Sequence, residues 1–369
     1  MIQLRTSRCV RSLSKESECN RCEIVCPTEA IVVGGNPLPS INFSACVGCG
    51  ACDSVCPNEA LYLDDFSTTD FFFNYIEDSD NLISCRKNVP CIAALNIENI
   101  ISMALLKKEM IFDMGHCDEC AIAHKCKPQI EKNYEEASYI LEAMESDSVI
   151  KLEYIKYEKE ADLKEQSSRR EFFSKVNLKG IVKSKIEFEK EIQKATDELV
   201  EHTLKKSDIA LLKQKRITDR RKLFFTALKR VEKPSIYHII ESDELTFTSM
   251  KMVNETTCTA CQMCYRVCPS GALSSDIKNS KIEFDPFLCI KCHICHDVCE
   301  PEAITLSPTY RVKEFFEPTV QNLITFKVRR CDECNVIFST NSSDKLCYRC
   351  KAEDEEAREL WGIKGGYVT

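Results

Sequence analysis

The chain has 369 residues, of which 25 are cysteine, and its 50 basic and 58 acidic side chains give a formal net charge of -8. This negative charge disfavours non-specific binding to nucleic acid and favours protein partners. The opening MIQLRTSRCV lacks the apolar run of a signal peptide, and no apolar stretch of about 18 residues occurs, so we expect a cytoplasmic chain without a membrane span.

Cysteine at this density, in a reducing compartment, is typical of metal sites rather than of disulfides. One phrase occurs in four versions: CPTEAI at Cys26, CPNEAL at Cys56, CPSGAL at Cys268 and CEPEAI at Cys299. Each version ends a group of cysteines and leads into a short apolar segment. We therefore predict an internal repeat that forms two α+β units, with a small hairpin leaving each group.

The first unit, residues 1–70, contains two groups of four cysteines. One group matches C-x2-C-x2-C-x3-C-P and consists of Cys46, Cys49, Cys52 and Cys56. The other keeps only the end of this pattern, across a nine-residue insertion, and consists of Cys9, Cys19, Cys22 and Cys26. In this pattern three close thiolates bind one iron–sulfur cubane and the fourth binds the neighbouring cluster.

Residues 80–157 alternate strand-like and helix-like stretches and predict a small α/β domain. The stretches are LIS, IENIISMALLKKE, MIFDM, EKNYEEASYILEAM and VIKLEYI. The five cysteines of this domain follow two of the predicted strands, where metal ligands often lie. They are Cys85, Cys91, Cys117, Cys120 and Cys126.

The segments SCRKNVPCIAAL and MGHCDECAIAHKC resemble domains of some bacterial polyferredoxins and are distantly similar to the delta subunit of methyl-viologen-type hydrogenases. This resemblance implies a fifth iron–sulfur cluster or a zinc ion, with Cys91 in reserve as a ligand. The preferred ligands are Cys85, Cys117, Cys120 and Cys126. Zinc or buried free thiols remain alternatives, and His116 and His124 are interpreted as solvated or structural.

Residues 158–235 are rich in charge and predict a helical connector, since apolar residues recur at helical spacing. These residues include Ile186, Ile192, Ala195 and Leu199. Within the connector, SRREFFSK at Ser168 to Lys175 is similar to a twin-arginine export consensus. Its position in the middle of the chain favours a solvated helix start instead.

A second unit, residues 250–308, again contains two groups. One group matches C-x2-C-x2-C-x3-C-P and consists of Cys258, Cys261, Cys264 and Cys268. Its partner has the proline displaced by one place, to Pro301, and consists of Cys289, Cys292, Cys295 and Cys299. Zinc requires only four ligands and has no use for this run, so iron–sulfur clusters are favoured.

Both units resemble the bacterial-type two-cluster ferredoxins, which implies a crossed pattern of ligands for four 4Fe-4S clusters. The resemblance assigns the first cluster to Cys9, Cys19, Cys22 and Cys56. It assigns the second to Cys46, Cys49, Cys52 and Cys26. The third receives Cys258, Cys261, Cys264 and Cys299. The fourth receives Cys289, Cys292, Cys295 and Cys268.

The C-terminal segment, residues 325–369, carries two C-x2-C pairs with the spacing of a zinc ribbon, followed by a predicted charged helix KAEDEEARELW. The four cysteines are Cys331, Cys334, Cys347 and Cys350. We favour zinc over rubredoxin-like iron, because no Cys-Pro and no aromatic surroundings accompany the pairs. The acidic tail argues against nucleic acid as the partner of this segment.

We therefore expect a multidomain α+β polyferredoxin that is an electron carrier and not an enzyme. Clusters bound by four cysteines leave no open coordination site, and the sequence has no dinucleotide-binding or phosphate-binding loop. Expected partners are redox proteins: a ferredoxin, a flavoprotein or a molybdenum oxidoreductase. The alternative hypothesis is an accessory or maturation factor for a molybdenum enzyme such as formate dehydrogenase or nitrate reductase.

Overall fold

Short helices and small sheets surround the groups of cysteines. The structure is a computed structural model that describes residues 1–156, 202, 204 and 206–362. The described chain is mixed α and β, and its sheets have two or three strands. None of the helices within these ranges is long and apolar enough to cross a membrane.

The N-terminal unit, residues 1–66, pairs its first strand with its last strand and encloses a hairpin. Its elements are β1 (Ile2–Leu4), α1 (Arg21–Val25), β2 (Ile31–Val32), β3 (Ser40–Ile41), α2 (Ala51–Val55) and β4 (Leu61–Leu63). Each short helix ends at the cysteine that precedes a proline, Cys26 or Cys56. Proline disfavours helical geometry at the residue before it, so each phrase places its last cysteine just outside a helix.

The prediction of a hairpin after every phrase is wrong for two of the four. The strand β2, after Cys26, pairs with β3 as expected. The strand β4, after Cys56, pairs antiparallel with β1 instead, so that Ile2 lies opposite Leu63. Both of these side chains are buried. The last strand of the unit therefore buries its apolar face by closing onto the first strand, which a phrase-by-phrase interpretation could not foresee.

The middle unit, residues 67–156, has the α/β alternation that the sequence predicts. Its elements are α3 (Thr68–Glu77), β5 (Leu82–Ile83), α4 (Ile97–Lys107), β6 (Glu109–Asp113), α5 (Ala123–Ala143) and β7 (Val149–Glu153). The strands form a parallel sheet in the order β5-β6-β7. Of these elements, α3 was not predicted. Cys85 follows β5 and Cys117 follows β6, so both lie at the carboxyl edge of the sheet.

Helix α4 is the most buried helix of the middle unit. It begins at Asn96, whose side chain accepts a hydrogen bond from the amide of Asn99 at 2.9 Å, an ordinary N-cap. Every residue from Ile97 to Leu105 is buried. A helix that is buried all round needs partners for its polar side chains, and Glu98 has such partners in the connector, described below.

In the described part of the predicted connector two helices occur, α6 (Lys206–Leu212) and α7 (Asp219–Leu228). The carboxylate of Glu59 accepts the amide hydrogens of Asp219 at 3.0 Å and Arg220 at 2.9 Å, so it caps the first turn of α7 from the N-terminal unit. The predicted apolar positions from Ile186 to Leu199 and the string SRREFFSK lie outside the described residues.

The second cysteine unit repeats the order of elements of the first. Its elements, with the strand that leads into it, are β8 (Ile239–Glu241), β9 (Lys251–Val253), α8 (Met263–Val267), β10 (Leu273–Ser274), β11 (Lys281–Phe284), α9 (Ile294–Asp297) and β12 (Ile304–Leu306). The strand β12 pairs with β9, and β10 pairs with β11, as β4 with β1 and β2 with β3. The two units thus share one pattern of strand pairing.

The chain ends in a two-stranded hairpin and a helix. The last elements are β13 (Thr309–Arg311), α10 (Lys313–Phe316), β14 (Gln321–Thr325), β15 (Lys327–Arg330), β16 (Ile337–Thr340) and α11 (Tyr348–Leu360). The strand β13 pairs with β8, β14 extends the hairpin β10-β11, and β15 pairs with β16. The predicted C-terminal charged helix is confirmed as α11.

The largest apolar core is shared between units. It runs from Ile2 in the N-terminal unit through α4 and α5 to Phe224 in α7 and Phe287 in the second cysteine unit. A second core lies inside the second cysteine unit. A third, the junction core, consists of Val10, Val267, Ile294 and Val298. It contains side chains from both cysteine units and therefore joins them.

Candidate metal centres

Four small cavities occur in the two cysteine units, and four cysteines line each of them. In the N-terminal unit the two sets are Cys9, Cys19, Cys22 and Cys56, and Cys26, Cys46, Cys49 and Cys52. In the second unit they are Cys258, Cys261, Cys264 and Cys299, and Cys268, Cys289, Cys292 and Cys295. These are the crossed sets that the ferredoxin resemblance implies, and their ligation of clusters remains a prediction.

Cys9 reaches its cavity because the insertion after it folds back. Two 3-10 turns, Thr6–Arg8 and Val10–Ser12, flank Cys9. The guanidinium of Arg11 donates to the carbonyl oxygens of Pro37 at 2.7 Å, Ser17 at 2.7 Å and Cys19 at 3.2 Å. One charged side chain therefore folds the inserted loop onto the unit, and charged donors make such bonds strong.

The repeated phrase places a backbone amide against its own cysteine sulfur. The amide of Ala30 donates to Sγ of Cys26 at 3.2 Å, and the amide of Ala60 donates to Sγ of Cys56 at 3.2 Å. In the second unit the amide of Leu273 donates to Sγ of Cys268 at 3.5 Å. Hydrogen bonds to the sulfurs are one way in which a protein tunes a cluster's potential, so these amides would act on a cluster bound at these cysteines.

Several cysteines of these cavities are poor thiolates without a cation. Burial, with the charge of Cys56 next, raises the pKa of Cys9 to about 12. Burial likewise raises the pKa of Cys295 to about 12 and holds the pKa of Cys22 and Cys292 well above the ordinary value. A metal ion or cluster supplies the positive charge that allows such thiols to ionise. The residues present therefore fit a cationic metal group.

The five cysteines of the middle unit lie near one another. The Sγ of Cys85 is 3.5 Å from Nδ1 of His116. Burial, then the charges of Cys91, Cys85 and Cys120, raise the pKa of Cys117 to about 12. His116 therefore contacts the group, whereas His124 is exposed. The loops after β5 and β6 meet as the sequence interpretation expects.

Cys126 connects this group to the N-terminal unit. Its thiol forms hydrogen bonds with the thiols of both Cys91 and Cys49. The bond with Cys126 lowers the pKa of Cys49 to about 7 and also lowers the pKa of Cys91. Cys91, which the sequence analysis held in reserve, thus lies beside the preferred residue Cys126. Cys49 belongs to a cavity of the N-terminal unit, and nothing in its spacing indicates this contact.

Gly50 is what allows the approach of these two units. Its φ of +78° is in the left-handed region, and a Cβ at this position would lie 2.6 Å from Cβ of Ala94. Ala94 ends the 3-10 turn Ile92–Ala94 that follows Cys91. Because glycine alone fits here, the loop of Cys91 can pack against the loop of Cys49.

The C-terminal cysteines form a tighter group. The Sγ atoms of Cys331, Cys334, Cys347 and Cys350 lie within 4.8 Å of one another. Tetrahedral zinc with Zn–S distances of about 2.3 Å requires sulfurs about 3.8 Å apart, and Sγ of Cys334 is 3.6 Å from Sγ of Cys347. A hydrogen bond from the backbone amide of Cys334 is the main cause that lowers the pKa of Cys331 to about 6. This group suits a single metal ion, and its identity as zinc remains a prediction.

Two adjacent arginines of α7 hold carbonyl groups of cysteines from different units. Arg220 donates to the carbonyl oxygen of Cys56, and Arg221 donates to the carbonyl oxygen of Cys289 at 3.1 Å. Between them, Glu98 of α4 accepts from Nε of Arg221 and lies 3.4 Å from Nε of Arg220. This site was not predicted from the sequence. A signal exists, since RRKLFF after Asp219 repeats the double arginine and aromatics of SRREFFSK.

The comparisons with known proteins agree with this arrangement. Residues 250–300 match a sequence family described as a 4Fe-4S dicluster domain, and residues 16–66 match one described as an LdpA Fe-S cluster-binding domain. No curated protein and no solved structure matches the chain. The chain therefore contains ferredoxin-like iron–sulfur cluster-binding domains in both cysteine units. Cys9 lies outside the matched residues.

Proposed function

We propose that this chain is a multi-cluster electron carrier that passes single electrons between a redox donor and a partner oxidoreductase. The four crossed sets of cysteines are its proposed ligands for four 4Fe-4S clusters. Such clusters, when bound, supply one-electron redox chemistry and leave no coordination site for a substrate. The observation that carries the proposal is that four cysteines line each of four cavities, in two units that one apolar core joins.

The sets of cysteines follow one another through the protein. Burial, then the charges of Cys49 and Cys22, hold the pKa of Cys52 well above its ordinary value, so the two sets of the N-terminal unit are neighbours. In the second unit, burial and then Cys295 raise the pKa of Cys264 in the same way. The side chains of Cys19 and Cys292 both pack against the junction core.

The junction core lies at the contact between the two cysteine units. Its four aliphatic side chains are 8% exposed or less. They place a close-packed apolar contact between the set containing Cys19 and the set containing Cys292. A further contact aligns the same surfaces, since Oδ2 of Asp297 accepts the amide hydrogen of Glu18 at 3.1 Å. The sets thus form one continuous series, and this supports a carrier rather than isolated structural sites.

The middle centre is proposed to hold a fifth iron–sulfur cluster or a zinc ion, with Cys91 and Cys126 among its ligands. The contact between Cys126 and Cys49 connects the middle centre to the set of cysteines that contains Cys49, at one end of the series. The C-terminal group is proposed to hold zinc with a structural role. At the other end of the series, Asn341 of the C-terminal segment donates to the carbonyl oxygen of Cys258 at 2.8 Å.

The first experiment is to measure iron, acid-labile sulfide and zinc per chain on anaerobically purified protein. About sixteen iron atoms with matching sulfide and about one zinc support the proposal, and about eighteen to twenty iron atoms add a cluster in the middle centre. Fewer than about eight iron atoms, with zinc making up the difference, would mean that the cavities are zinc sites and that the carrier proposal is wrong.

A second experiment tests the role rather than the content. Each candidate oxidoreductase is tagged and prepared in a metal-loaded and a cofactor-free form. Each form is mixed with this protein, and any complex is isolated. A carrier binds the mature, metal-loaded enzyme and reduces or oxidises it in the absence of other donors. Binding only to the cofactor-free form would replace the carrier by the alternative, an accessory or maturation factor.

A further inference from the structure

A further cavity of the described structure lies outside all the cysteine cavities. It has a volume of about 540 Å³ and lies between the N-terminal unit, the helix α5 and the second cysteine unit. Cavities that bind small molecules measure about 300–1,000 Å³ and often occur between domains. We propose that this cavity binds a small organic anion that carries phosphate or carboxylate groups. This site is additional to the proposed electron-transfer function and does not depend on it.

The lining of the cavity is strongly cationic. Its basic residues are Arg21, Lys125, Lys132, Arg220 and Lys291. The acidic residues are only two, Glu98 and Asp243. The chain as a whole carries a formal charge of -8. A surplus of positive charge at one cavity of an acidic protein attracts anions and focuses them there.

Backbone carbonyl groups hold two of these cations in place, and Lys291 also interacts with the carboxylates of Glu136 and Asp243. Arg21 donates to the carbonyl oxygens of Thr246 at 3.5 Å and of Lys291. The ammonium group of Lys291, in a side chain only 8% exposed, donates to the carbonyl oxygens of Ser242 at 2.9 Å and of Leu245. Carbonyl oxygens orient a cation without neutralising it. The cost of burying these charges therefore falls when an anion binds.

Helix α5 contributes two more lysines from one of its faces. Lys125 and Lys132 are seven residues apart, which is two helical turns, and Gln129 lies between them on the same face. Both lysines are exposed. The ammonium group of Lys125 donates to the carbonyl oxygen of Ile24 at 3.1 Å, and neither lysine forms an ion pair with another described residue. Arg220 differs, because Glu98 lies 3.4 Å from its Nε. The two lysines are therefore the cations that can reach into the cavity toward a ligand.

Apolar side chains of the cavity lining indicate the chemistry of the rest of the ligand. Ile24, Leu245 and Phe247 line the same cavity, and Ile24 is 58% exposed although it is a large aliphatic residue. An inorganic ion alone would leave this apolar wall against water. A molecule with an apolar or planar body and an anionic end covers the wall and meets the cations together.

The test is titration calorimetry of the anaerobically purified full-length chain with three probes: adenosine monophosphate, citrate and inorganic phosphate. The proposal expects saturable binding at one site per chain for at least one organic probe, tighter than inorganic phosphate. The two organic probes separate a phosphate ester from a polycarboxylate. If no probe binds at one site, or if inorganic phosphate binds as tightly as both organic probes, the proposal is wrong.

Two variants locate the binding. Lys125→Gln and Lys132→Gln should each weaken the bound organic probe about five- to tenfold, since each removes one charged contact. The matched control is Lys127→Gln, because Lys127 lies on the same helix but pairs with Asp118 at 2.9 Å outside the cavity. The control should stay within about twofold of the unchanged protein. Equal weakening in all three variants would show that binding is a general charge effect and would overturn the site. The iron content of each variant confirms that the fold is intact.

Discussion

Arg221 and Glu98 form an ion pair in the interior of the protein, with the Nε of the arginine donating to Oε1 of the glutamate. Their side chains are 1% and 4% exposed. Arg221 also donates to the carbonyl oxygens of Phe247 at 3.0 Å and Cys289 at 3.1 Å. A single guanidinium thus links the middle unit with the second cysteine unit, and nearly every donor it has is used.

Replacing Glu98 by glutamine should destabilise the protein strongly. The variant leaves the buried Arg221 without the carboxylate that pairs with it, and breaking a buried ion pair in this way costs about 3–5 kcal/mol of the free energy of unfolding. Urea unfolding under anaerobic conditions measures it. The control is Lys222→Gln, since this exposed lysine pairs only with Asp219 on its own helix, and should cost less than about 0.5 kcal/mol. Similar losses in the two variants would contradict the role of the buried pair.

Ile294→Ala tests the junction core. Ile294 is 1% exposed, and truncating such a side chain costs about 2–4 kcal/mol. We expect iron content to stay unchanged in fresh protein, while air bleaches the iron–sulfur absorbance faster, because water and oxygen gain access between Cys19 and Cys292. The control is Ile277→Ala, at a fully exposed isoleucine. Bleaching at the same rate in both variants would mean that the junction does not protect these sets.

Cys334→Ser tests the C-terminal group. Four sulfurs within 4.8 Å suit one ion, so the variant should lose about one zinc per chain and retain all of its iron. Structural zinc contributes of the order of 10 kcal/mol to the folding of such a segment. Proteolysis should therefore cut near the hairpin β15-β16 first. The control Asn341→Ala removes the contact with Cys258 but should keep the zinc. Loss of iron in Cys334→Ser would indicate a rubredoxin-like site.

Cys91→Ser tests whether Cys91 is a metal ligand of the middle centre. Because the thiol of Cys91 is hydrogen-bonded to Cys126, we expect this variant to lose the same metal as Cys126→Ser, as one zinc or about two to four iron atoms. The control is His124→Ala, at an exposed position beside the same cysteines. Full metal content in Cys91→Ser would restrict the ligands to the four preferred from the sequence.

Glu136 predicts a dependence of stability on pH. Burial raises the pKa of Glu136 to about 7, although hydrogen bonds from Thr246 act in the opposite direction. The folded state then binds more protons than the unfolded state between about pH 4.5 and pH 7, so this contribution to stability is present at low pH and is lost as the pH rises through 7. From pH 6 to pH 8 the free energy of unfolding should fall by about 1 kcal/mol relative to Glu136→Gln. Parallel pH profiles for the two proteins would contradict this assignment.

Much of the fold and of the candidate sites follows from local sequence signals. The helix α4 and the strands β6 and β7 have clear periodicity, and the crossed sets of cysteines follow from spacing and the ferredoxin resemblance. The contacts between units do not. The bond of Cys49 with Cys126 and the burial of Glu98 against Arg221 join residues that are far apart in sequence, and no periodicity records such a pairing. The closing pair β1-β4 was missed for the same reason, since the phrase after Cys56 indicates a strand but not its partner.

The junction core can form only after residues from both cysteine units have been synthesised. Val10 and Leu13 are synthesised well before Ile294 and Val298, which pack against them. During that interval the N-terminal unit presents an uncovered apolar edge next to Cys19, and transiently exposed apolar surface promotes aggregation. The apolar edge of the N-terminal unit is therefore covered only when the second cysteine unit has been synthesised. A product truncated before the second cysteine unit would leave this edge exposed.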